Sequence, residues 1–194
     1  NALQLPPLYA ISPDIDDAAG MHAFVEAMAL AQATLLQVRL KENPAIAPEL
    51  ITQLRARVPA ARILLNSDTH SALRRSENSA SLFGADGLHL TARALQDCRA
   101  KPANFCAASC HDANELAQAY SLGLDFVTLS PVLPTSSHAG VAPMGWQVFS
   151  ALAIQAGLPV YALGGLNVEQ FDEACRQGAI GIAGISAFTA REPR

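Results

Sequence analysis

Short apolar runs alternate with longer mixed segments along the whole chain. The runs cover residues 8–12, 35–40, 62–67, 87–90, 105–110, 125–130, 160–164 and 181–186. Each has the length of a strand, and most gaps leave room for a crossover helix with two turns. Residues 17–32 repeat apolar positions on a helical period after an acidic start. Residues 48–58 begin with a proline suited to a first helical turn. Residues 112–122 open on Asp112 as N-cap and close before Gly123; residues 167–177 do the same with Asn167 and Gly178. Residues 70–81 are polar and only weakly periodic. Eight strands alternating with helices predict an α/β fold, a closed (β/α)8 TIM barrel, with a doubly wound open sheet as the structural alternative.

The chain is expected to form one domain over residues 1–194, and it is short for a barrel, whose usual size is about 250 residues. It stops shortly after the eighth run, so the last helix is expected to be truncated. That would leave apolar surface for a second copy or a fused partner domain to cover. Asn1-Ala2 is compatible with a cloning remnant, which would make this an excised domain of a longer protein.

One run breaks the apolar rule. In "LLQVRLKEN" (35–43), Gln37, Arg39 and Lys41 recur at every second position and so share one strand face. In a barrel Val38 and Leu40 suit the helix layer, and the three polar groups climb the inner face towards the rim. There a guanidinium and an ammonium favour an anion, phosphate above all. An internal ion pair with an acidic side chain is the competing explanation. "ALGGLN" (162–167) ends a strand in Gly164-Gly165 before a helix, and "GIAGISAF" (181–188) adds a turn with Gly184 and Ser186. Glycines admit close backbone approach, and the loops after strands seven and eight are a recurrent phosphate cradle in barrels.

Asn66 ends the third run. Ser109 shares parity with Ala107 and His111, which sends Cys106 and Cys110 to the helix side as inert thiols. His89 and His111 read as hydrogen-bonded structural residues rather than catalysts. The long segment 130–146, "SPVLPTSSHAGVAPMGW", exceeds a minimal βα turn and belongs at the rim, where Thr135, Ser137 and His138 become candidates for ligand contact.

The bulk numbers narrow the class. Hydrophobic residues make up 51% of the chain, charged residues 15%, and the net charge is −4. No basic field invites nucleic acid or anionic lipid, and no apolar run is long enough for a bilayer. The four cysteines form no CxxC pair and no zinc spacing, in keeping with a reducing cytoplasm.

The ordered motifs resemble those of thiamine phosphate synthases and the related thiazole tautomerases, from "LYAIS" to "GISAF". "QVRLK" resembles the family's Gln-x-Arg-x-Lys strand, "LLNSD" its Ile-Asn-Asp segment, and "GADGLHL" its Ala-Asp-Gly-Val-His-Leu. "SPVLPTSSH" resembles Gly-Pro-x-Phe-Pro-Thr-x-Thr-Lys, and "YALGGLN" resembles Ala-Ile-Gly-Gly-Ile. The resemblance implies a (β/α)8 barrel. It also implies a synthase joining hydroxymethylpyrimidine diphosphate to thiazole phosphate, with Mg2+ as cofactor. It implies that Arg39, Lys41 and Asn66 hold the diphosphate beside Gln37, and that Ser109 meets the pyrimidine. Thr135 and Ser137 would line the thiazole side, with Gly164, Gly165 and Ser186 on its phosphate.

Three departures weaken that expectation. The positions of the two metal-binding Asp residues hold Ser67 and Ala94, with Asp68 as the one candidate substitute. The position of the rim Lys holds His138. The position where tautomerases carry a His holds Ser130. That last departure counts against the tautomerase reading too; tautomerase-like proton transfer, with His138 standing in as acid/base, is a second expectation. A non-catalytic phosphate-binding domain, like those fused behind Nudix hydrolases, is a third.

Overall fold

The computed structural model describes residues 4–77, 81–135 and 140–185. The expected closed barrel is present. Strands β1 (Leu8–Ile11), β2 (Leu35–Val38), β3 (Arg62–Asn66), β4 (Gly87–Leu90), β5 (Cys106–Cys110), β6 (Phe126–Leu129), β7 (Val160–Leu163) and β8 (Gly181–Gly184) pair in sequence order. All pairs are parallel, and β8 closes on β1. The helices between them are α1 (Ala18–Leu30), α2 (Ala47–Arg57), α3 (Ser67–Glu77), α4 (Ala92–Asp97), α5 (Ala113–Ser121), α6 (Gly145–Gln155) and α7 (Phe171–Arg176). The expected truncated last helix concerns residues outside the described set. Among the described residues no helix is long and apolar enough to cross a membrane.

Strand alternation divides the core in two. Val38, Leu40, Ile63, Leu65, Cys106 and Cys110 pack outward against helix residues such as Met28, Leu50 and Leu54. Tyr9, Leu35, Leu64, Phe105, Phe126 and Tyr161 fill the barrel itself. The aromatic rings interlock edge to face: Tyr9–Phe126 centroids are 5.1 Å apart and Phe126–Tyr161 5.3 Å. They plug the lower barrel; above them Gln37, Asn66 and Ser109 sit beside Ile11, Leu163 and Ala183.

The strand starts carry a repeated acidic device. Asp86 accepts the Ile63 backbone N–H at 2.7 Å and pairs with Arg55. Asp125 accepts the Cys106 N–H at 2.7 Å and pairs with Lys101. Each carboxylate satisfies a backbone donor at the mouth of a ladder that has no further strand residue to offer.

Helix caps follow the sequence signals. Asp17 accepts from Gly20 N and Asp112 from Glu115 N, while Gly123 and Gly178 take φ +67° and +96° past their helices. Three elements depart from expectation. β2 ends at Val38, so Arg39 and Lys41 belong to the loop after it. The weak helix over 70–81 begins earlier, at Ser67 directly after β3. Strand parity therefore does not extend to Asp68. Residues 167–177 form a 3-10 turn, Val168–Gln170, and then a helix of only 6 residues, too short for a strong terminal dipole.

Candidate functional site

A cleft of about 530 Å³ opens at the C-terminal ends of the strands, where barrels place their chemistry. It gathers Gln37, Arg39, Asn66, Ser109, Thr135, Gly164, Gly165 and Gly184 from the sequence-derived candidates. His111, Thr91, Ser130 and Asn167 line it too. Lys41 is exposed beyond the end of β2 and is not among the lining residues. Its place follows from the early end of the strand, because the chain has already turned out of the inner face. Ser137, His138 and Ser186 lie outside the described residues.

Arg39 is held by its backbone. Its N–H donates to Ser12 Oγ at 2.8 Å, and that hydroxyl donates back to the Arg39 carbonyl at 3.2 Å. Among the described residues no carboxylate forms a salt bridge with the guanidinium. The internal ion pair considered for this run is not found for Arg39. A cation half-buried at a cleft without a carboxylate is suited to a ligand anion.

In the same cleft, Gly164 and Gly165 adopt φ +100° and +69°. Their lack of side chains also serves the protein itself. A Cβ on Gly164 would come within 2.8 Å of Pro131 Cα, and one on Gly165 would collide with the Pro134 carbonyl. Val132 N and Leu133 N donate to the carbonyls of Leu163 and Gly164, both at 3.0 Å. The first part of the rim loop is thus stitched to the Gly-Gly turn.

Beneath the cleft runs a buried polar chain. Asn66 Nδ2 donates to Gln37 Oε1 at 3.0 Å, and Gln37 Nε2 donates to the Tyr9 hydroxyl at 3.0 Å. That hydroxyl meets His89 Nδ1 at 3.0 Å, and His89 Nε2 meets Ser109 Oγ at 2.9 Å. Burial, with Arg39 adding to it, pushes His89 down to about 3, so the imidazole is neutral. Burial likewise holds the Tyr9 phenol well above its usual range. Tyr9 was not singled out in the sequence; a tyrosine whose parity points into a barrel signals a required partner.

At the rim, His111 Nδ1 lies 3.0 Å from Glu115 Oε2, and Gln96 Nε2 donates to Oε1 at 3.3 Å. Glu115 is buried while His111 is open to the cleft. In the sequence the one signal for Glu115 is its i+4 spacing from His111. Cys106 and Cys110 face the helices as expected. Burial raises both thiols, Cys106 to about 12, so neither is a nucleophile.

The wall that would take Mg2+ is poor in donors. Ser67 Oγ accepts the Thr91 N–H at 3.0 Å, and Asp68 is exposed, with Oδ1 3.3 Å from the Thr91 hydroxyl. Among the described residues no three His, Cys, Asp or Glu side chains cluster. Mg2+ favours carboxylate oxygens, and this donor set does not fit a dedicated Mg2+ site.

The fold and cleft define a (β/α)8 barrel with a ligand-sized mouth of mixed polar and apolar lining. By sequence the chain belongs to the thiamine monophosphate synthase family, whose pattern it matches over residues 8–188. The thiamine-phosphate synthase of Methylobacillus flagellatus is 31% identical over 193 residues, 95% of this chain and 89% of that protein. A relative from Aquifex aeolicus is 37% identical over 107 residues, 54% of this chain but only 58% of that protein. The solved thiamine phosphate pyrophosphorylase of Pyrococcus furiosus superposes with a TM-score of 0.64 at 22% identity, covering 95% of this chain and 88% of that one. That likeness speaks for the fold.

Proposed function

We propose that this barrel binds phosphorylated pyrimidine and thiazole compounds in its mouth and acts as a thiamine-phosphate-synthase-like transferase with a weakened metal site. The observation that carries this reading is that Arg39, without a carboxylate partner among the described residues, and the Gly164-Gly165 turn line one cleft. A guanidinium is the side chain best shaped for phosphoryl oxygens, and a glycine turn lets backbone approach a second anion. Arg39 would stabilise charge developing on departing diphosphate, with Asn66 beside it, while Ser109 orients the pyrimidine. No step is routed through Mg2+, for which Ser67 and Asp68 are an inadequate donor set.

The test is a product assay. The protein is mixed with hydroxymethylpyrimidine diphosphate and thiazole phosphate, with Mg2+ or with chelator, and thiamine phosphate is sought by mass spectrometry. Product above the protein-free control supports the transferase. Ligand binding without product reduces the assignment to a phosphate-binding domain.

A second reading rests on the His111–Glu115 pair. A carboxylate that holds an imidazole at a cleft is the arrangement of a general acid/base. It favours an isomerase that moves a proton on a thiazole phosphate. Solvent deuterium entering a carboxythiazole phosphate, and ceasing in His111→Gln, would decide for it over the transferase.

A further inference from the structure

The hydrogen bonds beneath the cleft have a compulsory direction. Asp68 supplies it, because its backbone N–H, 3.0 Å from Asn66 Oδ1, can only donate. Asn66 must therefore turn its Oδ1 to Asp68 and its Nδ2 to Gln37. Gln37 must answer with Oε1, since the flipped amide would set two NH2 groups face to face. Its Nε2 is then left to donate to the Tyr9 hydroxyl. Among the described residues the Tyr9 hydroxyl has one other partner, His89 Nδ1, so its single proton goes there; the reverse order would leave that proton without an acceptor. A neutral imidazole accepting at Nδ1 carries its proton on Nε2, and donates it to Ser109 Oγ. Burial reinforces this: Tyr9, His89, Gln37 and Asn66 are all at most 3% exposed, so water does not scramble the order.

Ser109 ends the sequence and lines the cleft. Its oxygen is already accepting, and its own proton has no protein acceptor among the described residues. Thr128, its register partner on β6, carries a fully buried hydroxyl that also makes no hydrogen bond among those residues. We propose that Tyr9 and His89 form a one-way hydrogen-bond relay that fixes Ser109 as a donor to the ligand, so that the site selects a heterocycle with an unprotonated ring nitrogen at that point. Tyr9 and His89 are positioning residues, since they act through Ser109. The ligand part of this inference rests on the pyrimidine binding proposed above; the direction of the relay does not.

Two measurements test the two parts. Imidazole 15N NMR, with the His89 signals identified by their loss in His89→Gln, reads the tautomer directly. The Nε2–H form is expected, unchanged from pH 5 to pH 8; the Nδ1–H form would overturn the relay. Calorimetry then compares hydroxymethylpyrimidine phosphate with isosteres in which either ring nitrogen is replaced by C–H. One isostere is expected to bind wild type about tenfold more weakly or worse, because it leaves the Ser109 donor unpaired. Ser109→Ala should erase that difference, and Tyr9→Phe, which keeps the ring, should shrink it. Equal binding of all three compounds to wild type overturns the selectivity alone. Failure of all three to bind overturns the proposed pyrimidine ligand, and the selectivity with it, whatever the tautomer.

Discussion

Glu115 Oε2 lies 3.0 Å from His111 Nδ1 and 2.6 Å from the His111 backbone nitrogen. One buried carboxylate oxygen therefore fixes both the ring and the main chain where β5 leaves the barrel. Glu115→Ala would strand these donors and the Gln96 amide. The expected loss is about 1–3 kcal/mol in chemical denaturation. Glu115→Gln should lose less, because Oε1 can still accept from one of them.

Arg39→Ala should weaken binding of inorganic diphosphate by about tenfold or more, since charge-assisted contacts at such sites contribute about 1.5–3 kcal/mol. Lys41→Ala, exposed and outside the cleft lining, should have a smaller effect that fades as salt is raised. Titration calorimetry at two ionic strengths checks both, and equal losses would contradict the placement of Lys41.

Two glycines of similar backbone conformation should respond differently to alanine. Gly123 has φ +67° with nothing within 4 Å of a Cβ, so Gly123→Ala costs only the left-handed strain, about 1 kcal/mol. Gly165 has φ +69° and also abuts the Pro134 carbonyl and Leu133. Gly165→Ala should cost about 3 kcal/mol or more and displace the rim loop. At about 2–4 °C per kcal/mol for a chain of this size, the difference is visible in a melting curve.

Acid should destabilise the protein through His89. Its folded value is pushed down to about 3 from 6.5. Between those limits the unfolded chain binds a proton that the folded chain refuses. Stability is therefore fully present above pH 6.5 and falls as pH drops towards 3, by as much as about 1.4 kcal/mol per unit from this one group. Denaturation midpoints measured across that window should slope downwards, and His89→Gln should flatten the slope.

Much of the barrel was legible because its two periods are loud. Eight apolar runs at crossover spacing, with Asp112, Gly123, Asn167 and Gly178 at helix ends, leave few other folds. The inward face of Gln37 was legible for the same reason. What parity could not show was where the strand stops. β2 ends at Val38 and β3 runs straight into α3, so Lys41 and Asp68 left the face that alternation assigned them. Nor could pattern reveal that Tyr9 links Gln37 to His89, because that contact joins residues 28 and 80 positions apart. The Gly-Gly motif by itself signals a phosphate cradle. The structure adds a packing reason for both glycines that no local motif contains.

The ring stack of Tyr9, Phe105, Phe126 and Tyr161 has a kinetic corollary. With the bottom of the barrel filled by side chains, traffic passes through the mouth. If the two phosphorylated compounds proposed above share that entrance, they cannot exchange at random: whichever settles lower must arrive first and depart last. The aromatic stack would then impose a queue, and steady-state inhibition patterns would read as compulsory order rather than independent binding.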